Sequence, residues 1–303
     1  MKKILYLIIF LPFLCISCSD NNDPSTEEEK KPEVELPFNE PLFMYGNSME
    51  EVRRAETREE TAYSRYGGDN ENELYYKESK NKLDYTITYS FHNDKLFAAS
   101  VNFDYESSPD HLSYVVCNSL AEKYGADNNG MYRYDDYSIW NYEGTYFSYL
   151  PNSPVEGAPF YTGEPVFNEP LIMYGSSMAE IRKAETREES LTHPIYGGGG
   201  GNSLYYVEQK NGLDYVITYV FYEDLLYRIS VEPVNKVPIG LYDIVSLSLS
   251  NKYQTGRIRI GLRVFHSDNS DINCHFFNPR GFGIVYDPNS HIEGVPWTPP
   301  GPI

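Results

Sequence analysis

The sequence predicts an α+β protein: two tandem copies of an α-β-β-β-α-β-β module, each an antiparallel sheet with helices on one face. Three observations predict it. The block Phe38 to Glu60 returns as Phe167 to Glu189, with 18 of 23 positions identical. Behind each block, apolar and polar residues first alternate with period two and then recur at helical spacing. Hydrophobic residues make up 41% of the 303 residues and charged ones 23%, the composition of a packed chain and not of a disordered one.

The chain opens on an export signal. Lys2 and Lys3 precede an apolar run from Ile4 to Ile16. That run is shorter than the roughly 20 residues a membrane-spanning helix needs, so residues 1–17 read as a cleaved signal peptide. Cys15-Ile16-Ser17-Cys18 resembles a bacterial lipoprotein box, with small Ser17 before the modified Cys18. It departs from that pattern at Cys15, where the box usually carries leucine. The resemblance implies a lipid anchor through Cys18 and a place in the bacterial cell envelope, as an outer-membrane lipoprotein exposed at the surface. The same four residues match C-x-x-C, but inside an export signal and not beside a βαβ unit, so a redox motif is not indicated. Residues 18–37 form an acidic tether. Its Asp20, Asp23 and Glu27 to Glu29 resemble the acidic export signal that follows the lipidated cysteine in surface lipoproteins of the Bacteroidota. Cys117 and Cys274 are expected as buried free thiols.

Repeat 1 spans 38–152 and repeat 2 spans 167–295. A proline-rich linker, 153–166, joins them, and a proline-rich tail, 296–303, follows. Each repeat opens with a capping box, Ser48 with Glu51 and Ser177 with Glu180, which predicts a helix over about 49–60 and 178–189. Asn81-Lys82 and Asn211-Gly212 then mark hairpin turns. In the strand that follows, Tyr85, Ile87, Tyr89 and Phe91 share one face, as do Tyr215, Ile217, Tyr219 and Phe221. Phe97, Ala99, Val101 and Phe103 extend that face on a third strand. A second helix runs from about Pro109 to Tyr124; its stripe of Leu112, Val115, Val116 and Leu120 matches Leu241, Ile244, Val245 and Leu249. A closing hairpin ends each copy, with Ile258, Ile260, Leu262 and Val264 in strict alternation in the second.

The opening Tyr45-Gly46-Asn47-Ser48-Met49, with Glu51, Val52 and Arg53, is similar to the first helix start of β-lactamase-inhibitor-protein-like and outer-membrane-assembly lipoprotein modules. With the lipoprotein signal, the whole looks like uncharacterised Bacteroidota surface lipoproteins with tandem α+β modules. That resemblance implies helices on one face of an antiparallel sheet and implies no activity.

Chemistry-bearing motifs are missing from the sequence. It contains no G-x-S-x-G elbow, no H-E-x-x-H and no Walker A loop. The loop with His266, Asp268, Asp271 and His275 lacks metal-ligand spacing. No catalytic residue, cofactor or metal is assigned. A net charge of −19 leaves no basic footprint for nucleic acid. Two features point to contacts. Arg53 and Arg182 sit in the duplicated charged segment, where Arg53 is expected to pair with Glu56. Tyrosine, at 29 residues, crowds the strands. Tyr76, Tyr206, Tyr134, Trp140 and Tyr142 are the candidates for an outward contact surface, and Arg257, Arg259 and Arg263 are expected on an outer strand face. The expected function is non-catalytic binding of a protein or glycan. One alternative is an inhibitor or envelope assembly factor gripping a partner between the repeats; another is a hydrolase.

Overall fold

Alternation becomes sheet in both repeats. The computed structural model describes residues 34–62, 71–104, 111–125, 131–142, 145–160, 166–199, 201–259, 262–275 and 282–296. Repeat 1 carries α1 (Met49–Ala55), β1 (Glu59–Glu60), β2 (Glu73–Lys80), β3 (Leu83–His92), β4 (Lys95–Phe103), α2 (Leu112–Tyr124), β5 (Met131–Arg133), β6 (Tyr137–Tyr142) and β7 (Tyr146–Pro151). Its seven strands lie in the order β1-β2-β3-β4-β7-β6-β5. Repeat 2 carries α3 (Met178–Ala184), β8 (Glu188–Ser190), β9 (Ser203–Lys210), β10 (Leu213–Tyr222), β11 (Leu225–Pro233), α4 (Ile239–Lys252), β12 (Gln254–Arg259), β13 (Leu262–His266), β14 (Ser270–His275) and β15 (Gly283–Pro288). Its eight strands lie in the order β12-β13-β14-β15-β11-β10-β9-β8, and every pairing in both sheets is antiparallel. The α+β tandem predicted from sequence is therefore the fold.

The turns follow their residue types. Asn81 and Lys82 have φ of 54° and 65°, and Asn211 and Gly212 have 54° and 75°, the positive values a type I′ hairpin requires. Both capping boxes form as predicted. The first helices stop early, at Ala55 and Ala184, because Glu56 and Glu185 adopt extended backbone at the C-cap. Their carboxylates turn inward instead, to accept the hydroxyl protons of Tyr89 and Tyr219 at 2.6 Å each. The closing hairpin is longer than expected. It gains β5 in repeat 1, and in repeat 2 the alternating run from Ile258 to Val264 is divided between β12 and β13.

Tyr85, Ile87, Tyr89 and Phe91 share a core with Val52, Leu112, Val116 and Leu120, so α1 and α2 cover one face of the first sheet. A bulge shifts the register between Ser90 and Phe91. Leu96 takes the place on this face that the alternation assigned to Phe97, and Phe97 joins the core of repeat 2. That exchange reveals the main departure from two separate modules. Helix α4 packs against β3 and β4 of repeat 1 as well as against β12 and β13 of its own repeat. Its residues Gly240 to Leu249 are all buried, so it is covered all round instead of along one stripe.

The seat of α4 on the first sheet is made by small residues and caps. A Cβ on Gly240 would lie 2.5 Å from the Cβ of Ala98 and 3.0 Å from that of Ser90, so only glycine fits at this approach. The N-cap of α4 is Pro238, whose side chain makes no cap hydrogen bond. Repeat 1 supplies the acceptors: the Ile239 N–H donates to Glu73 Oε1 at 2.5 Å, and the Gly240 N–H donates to Ser90 Oγ at 3.2 Å. A carboxylate at a helix N-terminus is also favoured by the helix dipole. Further along, the Tyr146 hydroxyl donates to Asp243 Oδ2 at 2.9 Å. Arg263 belongs to this buried layer too. It pairs in register with Cys274, faces α4 with its guanidinium 5.8 Å from the Tyr242 ring, and is 5% exposed, which corrects its expected outward position. The side chains of Arg257 and Arg259 lie outside the described residues.

Cys117 and Cys274 are free thiols, the second fully buried with its pKa pushed up to about 12 by that burial. Among the described residues, no helix is long and apolar enough to cross a membrane.

Substituting Gly240→Ala should lower folding stability by about 1–3 kcal/mol, the usual cost of overpacking. Urea denaturation would measure it, and Ala98→Gly in the same chain should recover part of the loss. An unchanged midpoint would show that this contact does not set the seam.

Candidate functional site

The duplicated charged segment builds a scaffold in each repeat. Arg58 donates to Glu56 at 2.6 Å, to Glu78 at 2.6 Å and to the Glu40 carbonyl at 2.7 Å. Arg187 repeats these contacts with Glu185, Glu208 and the Glu169 carbonyl. The Glu56 side chain is 2% exposed, and Arg58 is its ion-pair partner. Burial alone would raise the Glu78 and Glu208 carboxyls. The hydrogen bonds from asparagine, tyrosine and arginine outweigh it and hold both below the ordinary value of 4.5.

Arg53 and Arg182 take a different role from the expected one. Arg53 pairs with Glu60 at 2.9 Å and with Glu50 at 3.7 Å, not with Glu56, and Arg182 pairs with Glu189 at 3.0 Å. Arg53 also lines a cleft of about 870 Å³ at the seam of the repeats, with Met49, Glu60, Glu73, Tyr75 and Lys236. There Arg53 pairs with Glu60, and Glu73 accepts from the α4 N-terminus and from the Tyr75 hydroxyl.

The tyrosine candidates divide by burial. Tyr76 and Tyr206 are each 2% exposed and sit on the helix-facing side, edge-on to Tyr89 and Tyr219. They are core residues and not outward contacts; burial raises both hydroxyls to about 12. The strand pleat sends Tyr75 and Tyr205 to the other face instead. Trp140 is half-buried against the core that α4 organises. The side chain of Tyr142 lies outside the described residues, as does Cys18. Tyr134 is the exposed one, at 51%.

Tyr134 belongs to an aromatic corner that the sequence reading did not assemble. Phe43, 37% exposed, stacks on Tyr137 with centroids 3.9 Å apart and planes at 21°. Tyr134 lies 5.3 Å from Tyr137 and 5.5 Å from Tyr124. The turn bearing Tyr134 is held by Asn152, which donates to the Tyr134 carbonyl at 2.6 Å and to that of Asp135 at 3.2 Å. Polar groups border the rings. Glu40 accepts from the Tyr124 hydroxyl at 2.7 Å and from Lys123 at 2.6 Å, and Arg133, Asp135 and Asp136 are exposed.

Repeat 2 is an internal control for this corner. Asn289 clamps the equivalent turn through the Ser267 and Asp268 carbonyls, and Glu169 accepts from Lys252 and Tyr253. The frame is the same, but the rings are not. Strand register places Ser267 and Ser270 opposite Tyr134 and Tyr137, and Ile172 stands for Phe43. Three aromatic residues have been placed at one corner of one copy.

Among the described residues, no group of three His, Cys, Asp or Glu side chains could hold a metal ion. His266 pairs with Asp271 at 2.7 Å, and His275 stands farther along the same strand face.

Arg58→Met should cost about 3 kcal/mol or more, because it strands the buried Glu56 carboxylate, and Arg187→Met should cost a similar amount. The lowered pKa values of Glu78 and Glu208 give stability that is complete above pH 4.5 and lost as pH falls toward their folded values. Denaturation followed from pH 7 to pH 3 should therefore show a steeper acid loss in the wild type than in the double Arg58→Met, Arg187→Met variant.

Compared with known proteins, the sequence matches no family model and no curated protein.

Proposed function

We propose that this chain is a lipid-anchored, surface-exposed envelope protein that acts as a non-catalytic binding module for a protein or glycan. The observation that carries the reading is the aromatic corner of repeat 1. Two copies share one frame, and only the first turns Phe43 and Tyr134 to solvent around Tyr137. Exposed rings on a rigid mount are favoured contact groups, because they bury much area at little entropic cost. The space between the sheets is occupied by α4, so the contacts are assigned to an outer surface. The anchor rests on the lipoprotein box at Cys18 and on the acidic tether behind it.

Cys18→Ala should abolish incorporation of labelled fatty acid and release a soluble, folded chain; label retained in that variant would refute the anchor. The soluble variant, screened on a glycan array and by pull-down from envelope extract, should retain a ligand that is lost with Phe43→Ile and Tyr134→Ser. Failure of both screens would refute the binding role.

A further inference from the structure

Resting on the binding-module reading, we propose that the aromatic corner of repeat 1 takes a neutral oligosaccharide, with separate hexose units of one chain laid on Phe43 and on Tyr134. Three observations lead there. The first is size. Exposures of 37% and 51% on rings that each carry about 150–250 Å² leave roughly 200 Å² of aromatic surface. A stable protein partner covers about 800 Å² per side, four times as much. One sugar unit on each ring matches the smaller area, and sugar C–H bonds pack favourably on the negative face of an aromatic ring.

The second observation is the polar border. A sugar presents hydroxyl groups around its apolar face, and these need both donors and acceptors at the rim. Lys123 and the exposed Arg133 offer donors, while Glu40, Asp135 and Asp136 offer acceptors. Two cations, Lys123 and Arg133, stand there with three carboxylates, Glu40, Asp135 and Asp136, so the small negative balance does not select an anionic ligand. The third is preorganisation. Phe43 is stacked on Tyr137, Tyr137 lies 6.0 Å from the buried Tyr149, and Asn152 holds the Tyr134 turn. Little freedom remains to be lost when a ligand binds, which is what a weak, small-area contact requires.

The test uses the full chain carrying Cys18→Ala. The probes are hexamers of glucose, mannose and galactose in α and β linkage, read by titration calorimetry and saturation-transfer NMR. At least one should bind. Phe43→Ile and Tyr134→Ser should each weaken it by about fivefold or more, and the double variant should abolish measurable binding. Both replacements are the residues that repeat 2 carries at the same places, so the fold should tolerate them, and urea denaturation would check it. Tyr196→Ala, which removes a ring 68% exposed in repeat 2, should change nothing. If no hexamer binds, or if binding survives the double variant, the sugar assignment is overturned. If in that case a protein is retained by the wild type and lost in the double variant, the binding module stands with a different ligand. If nothing is retained, both readings fall.

Discussion

Helix α4 is the contact on which the two-repeat architecture depends. It buries residues from both sheets in one continuous core, and its first turn is finished by Glu73 and Ser90 of the other repeat. Repeat 1 is thus part of the folding environment of repeat 2. The close approach at Gly240 makes the arrangement specific, since Ala98 and Ser90 leave room for no side chain there. The interface also has a direction. Register places Val220 and Arg228 of repeat 2 where repeat 1 has Ser90 and Ala98, and His111 stands at the start of α2 where Gly240 begins α4. An arginine and a branched side chain cannot offer the shallow, small-residue seat that α4 uses.

This asymmetry sets the two copies of one module apart. The duplicated ion-pair network of Arg58 and Arg187, the capping boxes and the turn clamps of Asn152 and Asn289 are common to both copies and set the frame. The copies diverge where they face something else. Repeat 2 turns its second helix toward repeat 1. Repeat 1 leaves α2 facing outward, with Tyr114 70% exposed, and gathers rings at the corner beside the end of that helix. The near-identical 23-residue block thus carries much of the shared frame, and the copies differ at the seat of α4 and at the aromatic corner.

Several parts of the fold were legible because they follow from local chemistry. The capping boxes, the type I′ turns and the alternation of β3 and β10 need only near neighbours. Local spacing predicts first helices longer than they are, because nothing local shows that Glu56 leaves the helix to accept from Tyr89 of the neighbouring strand and from Arg58. The expected outward place of Tyr76 and Tyr206 fails because two adjacent tyrosines do not show which of them meets the helices. The bulge beside Phe91 is likewise set by pairing between strands, and it moves Phe97 to the opposite face.

The sequence by itself determined the α+β class, the duplication and the turn positions, because period, turn residues and repeats are properties of order along the chain. It also held one hint of the site, since Phe43 stands where its copy has Ile172. Tertiary structure alone decided that Tyr134 and Tyr137 join Phe43. Their counterparts Ser267 and Ser270 are found only through strand register, because the closing strands of the two copies differ in length. It also decided that α4 belongs to both repeats, for burial on all sides is a fact about which surfaces meet, and no spacing along one helix records it.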